Sequence, residues 1–388
     1  MMSAPPKGTR FTLPAEAARR AQLTSRLQAL FSSWGYEEVD TPVLEPYTPE
    51  HPRAAQSFKL SDCNSEVLAL RSDFTPALAH LVRAHYSPEE VLRLQYSGKA
   101  WQALHPDVAR AREFTQLGLE LVGVSNARAD AELIHLAREA VREVGLVPRV
   151  ELGNPGLVRA LFALAEIPET AQGALASAID RKDSELKTLL EPYALAPDLH
   201  AALLGVADLY GDVGVLAQAK RQNPWPETLR ELETVEAVLA EFETVDELLL
   251  DFGRARRLSY YTGVTFQAYT FDFGQPLLGG GRYDGALLPY AAGFSLGLER
   301  LLWALPEDDV YTPPLVLSLD DAGARRLRAA GYRVERALVS SAAEARSQAR
   351  ARGTAYLLSA EGLEPLTPEQ PHHDDLTRIL EADRVTAE

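Results

Sequence analysis

Strand character in this chain stops near Val150, gives way to helical periodicity through Leu249, and returns at "SYYTGVTFQAYTF". Any fold it adopts must therefore carry a helical block inside a strand-rich region. Ahead of the block, "VLRLQYSGKAWQAL" and "REFTQLGLELVGV" alternate apolar and polar residues, as an antiparallel pair does. Behind it, "AAGFSLGLERLLWAL" reads as a strand running directly into a helix. Antiparallel strands with segregated helices predict an α+β domain, not a doubly wound sheet.

The flanks sharpen this division. Leu23, Leu27, Leu30, Phe31 and Trp34 share one helical face, and Gly35 ends that helix. "EEVDTPVLEPY" reads as a strand with Pro42 inside it, which points to an edge or an interface. "EVLALRSDFTPALAHLVRAHY" reads as strand, turn and helix, with Pro76 suited to the first helical turn. "HPDVARA" is a loop, and "ADAELIHLAREAVREVG" is a helix closed by Gly145. After Pro306, "EDDVYTPP" reads as a linker, and strand and helix signals then alternate as in a small α/β module. The expected division is 1–149 with 250–305, a helical insertion at 150–249, a module at 313–360 and a mobile tail at 361–388. The tail carries Pro365, Pro368, Pro371 and the pair His372–His373, which read as solvated residues and not as metal ligands.

Composition removes some function classes. The formal net charge is −16, which argues against a nucleic-acid surface, since such surfaces are usually basic. No apolar run is long enough to span a membrane, and "MMSAPPKGTRF" lacks the apolar stretch of a secretory leader. Cys63 is the only cysteine, so no intrachain disulfide or cysteine-based zinc site is expected. A cytoplasmic protein without metal or cofactor follows as the expectation.

Two stretches carry candidate chemistry. "LLGGGRYDGALL" has three glycines before Arg282 but no Gly-Lys-Ser/Thr ending, so it is not a phosphate loop. Its glycines instead suit the close approach of a ligand or another backbone. In "RRLSYYTGVTFQAY", Tyr260 and Tyr261 are expected on adjacent strand positions facing opposite ways.

The stretches "GYEEVDTPVLEP", "LRSDFTP", "REFTQLGLELVG", "YYTGVTF", "GGGRYDG" and "GFSLGLERL" occur in this order. Together they resemble the catalytic domain of class II aminoacyl-tRNA synthetases, specifically histidyl-tRNA synthetase and its relatives, over roughly residues 7 to 305, including the position of the helical insertion. The resemblance implies three motifs. Pro42 belongs to the dimer-interface strand of the first. Residues 96–116 form the second, a hairpin that grips ATP. "GFSLGLERL" is the third, in which Arg300 reaches the nucleotide. It also implies a histidine site at Asp73, Thr75, Gln116, Glu120, Arg256, Tyr261 and Tyr283. Carboxylates there receive the ammonium and an imidazole N–H, and an arginine pairs with the ligand carboxylate.

The departures from the family pattern matter as much. Where histidyl-tRNA synthetases carry "F-R-x-E-R-P" or similar, this chain has "WQALHP". Gln102 replaces the arginine that holds the α-phosphate, Leu104 an acidic residue and His105 a second arginine. Losing one well-aimed transition-state donor costs about 10²–10³ in rate. Arg110, Arg112 and Arg300 remain in a degenerate nucleotide site. Asp73 stands where the synthetases usually have Glu, and Ser259 where they usually have Asp. The C-terminal module is reduced from the complete anticodon-binding domain.

This pattern looks like the branch of the family that serves as regulatory subunit of ATP phosphoribosyltransferase. The resemblance implies no catalysis by this chain. It implies a short-form catalytic subunit as partner, histidine as a feedback ligand, and a homodimer within a larger hetero-oligomer. tRNA and membrane partners are not expected. A divergent histidyl-tRNA synthetase is the alternative, and a scaffold with an empty ancestral pocket is a third reading.

Overall fold

The structure is a computed structural model that describes residues 4–49, 54–104, 111–255, 260–306, 316–368 and 372–381. Two compact units divide at Pro306.

The first unit is organised by a nine-stranded sheet. Across it lie Glu37–Glu38, Leu92–Trp101, Glu113–Val122, Ala291–Gly297, Phe273–Arg282, Thr265–Thr270, Arg149–Gly153, Leu248–Asp251 and Tyr210–Gly211. From Leu92–Trp101 to Arg149–Gly153 every neighbour is antiparallel. The expected hairpin is present, with Tyr96 opposite Gly118 and Gly98 opposite Gln116.

Alternation places Leu117, Leu119 and Leu121 in the main hydrophobic core. Helix Pro14–Ser33 adds Leu23, Leu27 and Phe31 to that core, with Leu30 and Trp34 partly buried against it. Gly35 ends the helix at φ 83°, a left-handed conformation that costs glycine little. Helix Ala127–Glu143 lies in the same core, capped by the Asn126 side chain, which accepts from the Ala129 N–H. Each fully buried leucine contributes about 1.5–3 kcal/mol of transfer free energy.

The helices expected between 150 and 249 are present, from Pro155–Leu164 to Pro226–Leu239. They share the main core with the sheet. The stretch is not purely helical: Arg149–Gly153, Tyr210–Gly211 and Leu248–Asp251 extend the large sheet itself.

Three other expectations need correction. Pro42 does not lie inside a strand. The chain forms Glu37–Glu38 in the large sheet, then Leu44–Pro46 in a separate three-stranded sheet with Lys59–Ser61 and Val67–Leu70. Pro42 is exposed between them, where its fixed φ and missing N–H suit a crossing from one sheet to another. Tyr260 and Tyr261 precede strand Thr265–Thr270 and do not alternate. They pack edge to face, with ring centroids 5.0 Å apart, on one apolar cluster. The segment from Glu361 is no featureless tail: Gly362–Pro365 pairs with Tyr356–Ser359, and helix His373–Glu381 buries Leu376.

In the second unit the sheet order is Val334–Arg336, Val316–Ser318, Tyr356–Ser359, Gly362–Pro365. The first three strands are parallel and the last is antiparallel. Both faces are covered, Tyr356 and Leu358 belonging to one apolar cluster and Leu357 to another, as parallel sheets require. No helix among the described residues is long and apolar enough to cross a membrane.

Candidate functional site

Strand Glu113–Val122 turns Gln116, Gly118 and Glu120 away from the leucine core, and the site is built on that face. Glu120 is 3% exposed. Its carboxylate accepts from the Tyr283 hydroxyl at 2.5 Å and from the Thr75 hydroxyl at 2.9 Å. Tyr283 directly follows strand Phe273–Arg282, and Thr75 opens helix Thr75–His85. Burial pushes the Glu120 carboxyl up to about 8. The bonds from Tyr283 and Thr75 pull it down, and nearby Asp73 adds to the rise.

The Gln116 amide donates to Asp73 at 3.2 Å and to the Tyr96 hydroxyl at 3.4 Å. Tyr96 fits because Gly118 lies opposite: a Cβ there would strike its hydroxyl and stand 2.7 Å from the Phe294 carbonyl. Phe74 stacks on Tyr96 with centroids 4.4 Å apart, and the Arg71 guanidinium lies 3.8 Å over the Phe74 ring. Tyr260 stacks on Tyr283 at 5.2 Å. Burial, then the neighbouring Glu120, holds the Tyr96 and Tyr283 phenols far above their ordinary range. They stay neutral at physiological pH, Tyr283 donating to Glu120 and Tyr96 accepting from Gln116.

The structure thus gathers two hydrogen-bonded groups on one face, Thr75 and Tyr283 on Glu120 and Gln116 on Asp73 and Tyr96, and packs Tyr261 beside Tyr283 through Tyr260. Arg256 and Ser259 lie outside the described residues. Tyr96, Phe74, Tyr260 and Arg71 belong to the same region, and sequence reasoning had not assigned them to it. For Tyr96 a signal existed: it alternates onto the face opposite a glycine. Carboxylate acceptors walled by aromatic rings suit a small ligand with cationic or N–H groups.

A salt bridge fixes the strand end that presents Tyr283. Arg282 is 6% exposed and donates from Nε to Asp130 at 2.9 Å. Its Nη1 donates to Asp284 at 2.9 Å and to the Val124 carbonyl at 3.0 Å.

The nucleotide end is arranged differently. The Gln102 N–H donates to the Arg112 carbonyl at 2.9 Å. Arg112 lies over the Phe58 ring at 4.6 Å and reaches the Lys7 carbonyl at 3.5 Å. Arg300 donates to the Pro276 carbonyl at 3.1 Å. Beside it Glu299 is buried, takes the Thr115 N–H at 3.0 Å and pairs with Arg20. His105 and Arg110 lie outside the described residues.

Glycines on two neighbouring strands serve backbone packing: a Cβ on Gly280 would overlap the Gly293 carbonyl. Gly293 faces Glu120 across the sheet, and a Cβ there would overlap the Glu120 carboxylate and the Leu119 carbonyl. Gly293→Ala is expected to destabilise the fold by about 1–3 kcal/mol through overpacking, read as a lower urea midpoint.

Stability should also depend on pH with a definite sign. A carboxyl raised in the folded state binds its proton more tightly folded than unfolded. Its contribution is full below the unfolded pKa and is lost as pH rises through about 8. The ligand-free protein should therefore lose stability between pH 5 and pH 8, and Glu120→Gln should flatten that slope in urea titrations. An unchanged slope would place the effect elsewhere.

The family model described as histidyl-tRNA synthetase matches residues 8–301. The ATP phosphoribosyltransferase regulatory subunit of Thermus thermophilus is 45% identical over 365 residues, covering 92% of this chain and 98% of that relative. The protein of the same description in Deinococcus radiodurans is 43% identical, covering 94% and 91%. A solved structure from Bacillus halodurans, described as an ATP phosphoribosyltransferase regulatory subunit/histidyl-tRNA synthetase, superposes with a TM-score of 0.78 at 26% identity, covering 92% of this chain and 98% of that one. Fold, ordered motifs and relatives agree: the chain belongs to the histidyl-tRNA synthetase family, within the group of ATP phosphoribosyltransferase regulatory subunits.

Proposed function

We propose that this chain is a non-catalytic, histidine-sensing regulatory subunit that acts with a short-form ATP phosphoribosyltransferase catalytic subunit in the cytoplasm, at the first step of histidine biosynthesis. The observation that carries this reading is an asymmetry. The network around Glu120 is intact and buried, while Gln102 occupies the place of the phosphate-gripping arginine and Arg112 and Arg300 bond to backbone carbonyls. An amino-acid site has been kept beside a nucleotide site that lacks its grip.

In this reading Asp73, Thr75, Gln116, Glu120, Arg256, Tyr261 and Tyr283 hold histidine. The α-ammonium and an imidazole N–H go to carboxylates, and the ligand carboxylate goes to Arg256. The segment through Pro42 contributes to a homodimer within the larger complex. Feedback inhibition follows if histidine binds the inhibited state of the complex more tightly than the active one, and the coupling is reciprocal.

The test is calorimetric titration of histidine together with histidine-dependent ATP–pyrophosphate exchange on the same sample. Histidine binding without exchange is the expected result. Exchange at rates above a no-enzyme control would make the chain a synthetase.

A further inference from the structure

We propose that Glu45 is a further ligand-contacting carboxylate of this pocket, placed with Asp73 to receive the ammonium group of a bound amino acid. This rests on the reading of the pocket given above and adds a residue to it.

Glu45 sits in strand Leu44–Pro46, directly opposite Ala69. Ala69 is 6% exposed, and Glu45 is half-buried on the same face of the three-stranded sheet. Its Oε1 is shut off from solvent and accepts no hydrogen bond. Buried carboxylate oxygens are nearly always bonded, so an idle one calls for a missing donor.

The charged groups around it do not supply that donor. Arg71 is near enough to favour the charged form, but its hydrogen bonds go to other acceptors. Nη1 donates to the Thr41 carbonyl and hydroxyl, and Nε and Nη2 donate to the Lys99 carbonyl. Lys59, on the same face of the small sheet, holds its ammonium 4.0 Å over the Tyr47 ring. Asp73 is a second carboxylate close enough to raise the first. Burial, held back by Arg71 and helped by Asp73, lifts the Glu45 carboxyl to about 7.

Asp73 accepts from Gln116, which shares the site-facing side of strand Glu113–Val122 with Glu120, and Asp73 is close enough to Glu120 to raise its carboxyl. Two neighbouring carboxylates, one with an idle buried oxygen, make a setting for a small cation with several N–H donors. An ammonium offers three. Asp73 is also one methylene shorter than the glutamate usual at this position in the synthetases. A second carboxylate from the adjacent sheet restores the acceptor that the shortening withdraws.

The test uses calorimetric titration on wild type, Glu45→Gln and Glu120→Gln, alone and mixed with a short ATP phosphoribosyltransferase subunit. The ligands are histidine, histidinol, which keeps the ammonium, and imidazolepropionate, which lacks it and is titrated by competition where weak. Glu45→Gln should bind histidine and histidinol about 10- to 100-fold more weakly, the scale of one charge-assisted hydrogen bond, and imidazolepropionate as the wild type does. Wild-type affinity in Glu45→Gln beside weakened binding in Glu120→Gln would overturn the role of Glu45 and leave the pocket standing. Equal weakening for all three ligands would reduce Glu45 to a structural residue. A wild type that binds no histidine in either setting would overturn both readings.

Discussion

Glu120→Ala is expected to abolish the response to histidine while leaving assembly with the catalytic subunit intact. The carboxylate is buried, and two hydroxyls, from Tyr283 and Thr75, are aimed at it. Removing it takes away their acceptor and strands both donors. In the proposed complex it would face a cationic group of histidine, and truncating one partner of a buried, hydrogen-bonded charge pair costs about 2–5 kcal/mol, roughly 30- to 5,000-fold in affinity. In a phosphoribosyltransferase assay the half-inhibitory histidine concentration should rise by at least about 30-fold. Gel filtration of the mixed subunits should be unchanged, because Glu120 has almost no exposed surface to offer a partner. Inhibition that survives in this variant would move the histidine site elsewhere.

The largest stability effect is expected at Arg282. Its side chain is buried with Asp130, and it also holds Asp284 and the Val124 carbonyl. Alanine there leaves the Asp130 carboxylate in the interior without its counter-ion. Breaking such a pair costs about 3–5 kcal/mol, a large share of the roughly 5–15 kcal/mol that stabilises an ordinary domain. Chemical denaturation of Arg282→Ala should show a markedly lower midpoint, and removing Asp130 as well (Arg282→Met with Asp130→Leu) should recover much of the loss. Because Tyr283 is the next residue, histidine affinity should fall in the single variant even at temperatures where it stays folded. A double variant as unstable as the single one would mean that the strand end depends on Arg282 for its packing and not for its charge.

Local pattern showed much of this fold. Alternation in Leu92–Trp101 and Glu113–Val122 announced the hairpin, and helical spacing announced Pro14–Ser33 and Ala127–Glu143. What local pattern missed was decided by distant partners. Tyr260 and Tyr261 read as strand residues, but Tyr260 stacks on Tyr283 and Tyr261 packs edge-on against Tyr260. The stretch around Pro42 read as one strand, yet its two ends pair in different sheets. The C-terminal helix was hidden by three prolines and two adjacent histidines. Its order comes from Leu376 packing and from His373 stacking on Tyr356, neither of which spacing reveals.

The pocket shows the same split. The ordered motifs pointed to Glu120, Gln116, Thr75, Asp73 and Tyr283, and the structure brings those five together. The supporting side chains were invisible in sequence. Arg71 matters through carbonyls of Thr41 and Lys99, and Glu45 through an oxygen left without a donor. Both facts exist only once residues far apart in sequence have come together.

The central claim is that this chain senses histidine on behalf of another enzyme. The most direct measurement is phosphoribosyltransferase activity of a short catalytic subunit, with and without this chain, over a range of histidine concentrations. The account predicts that adding the chain raises activity and makes it inhibitable by histidine, and that Glu120→Ala preserves the first effect and removes the second. Activity indifferent to the chain, or inhibition by histidine that needs no such chain, would contradict it.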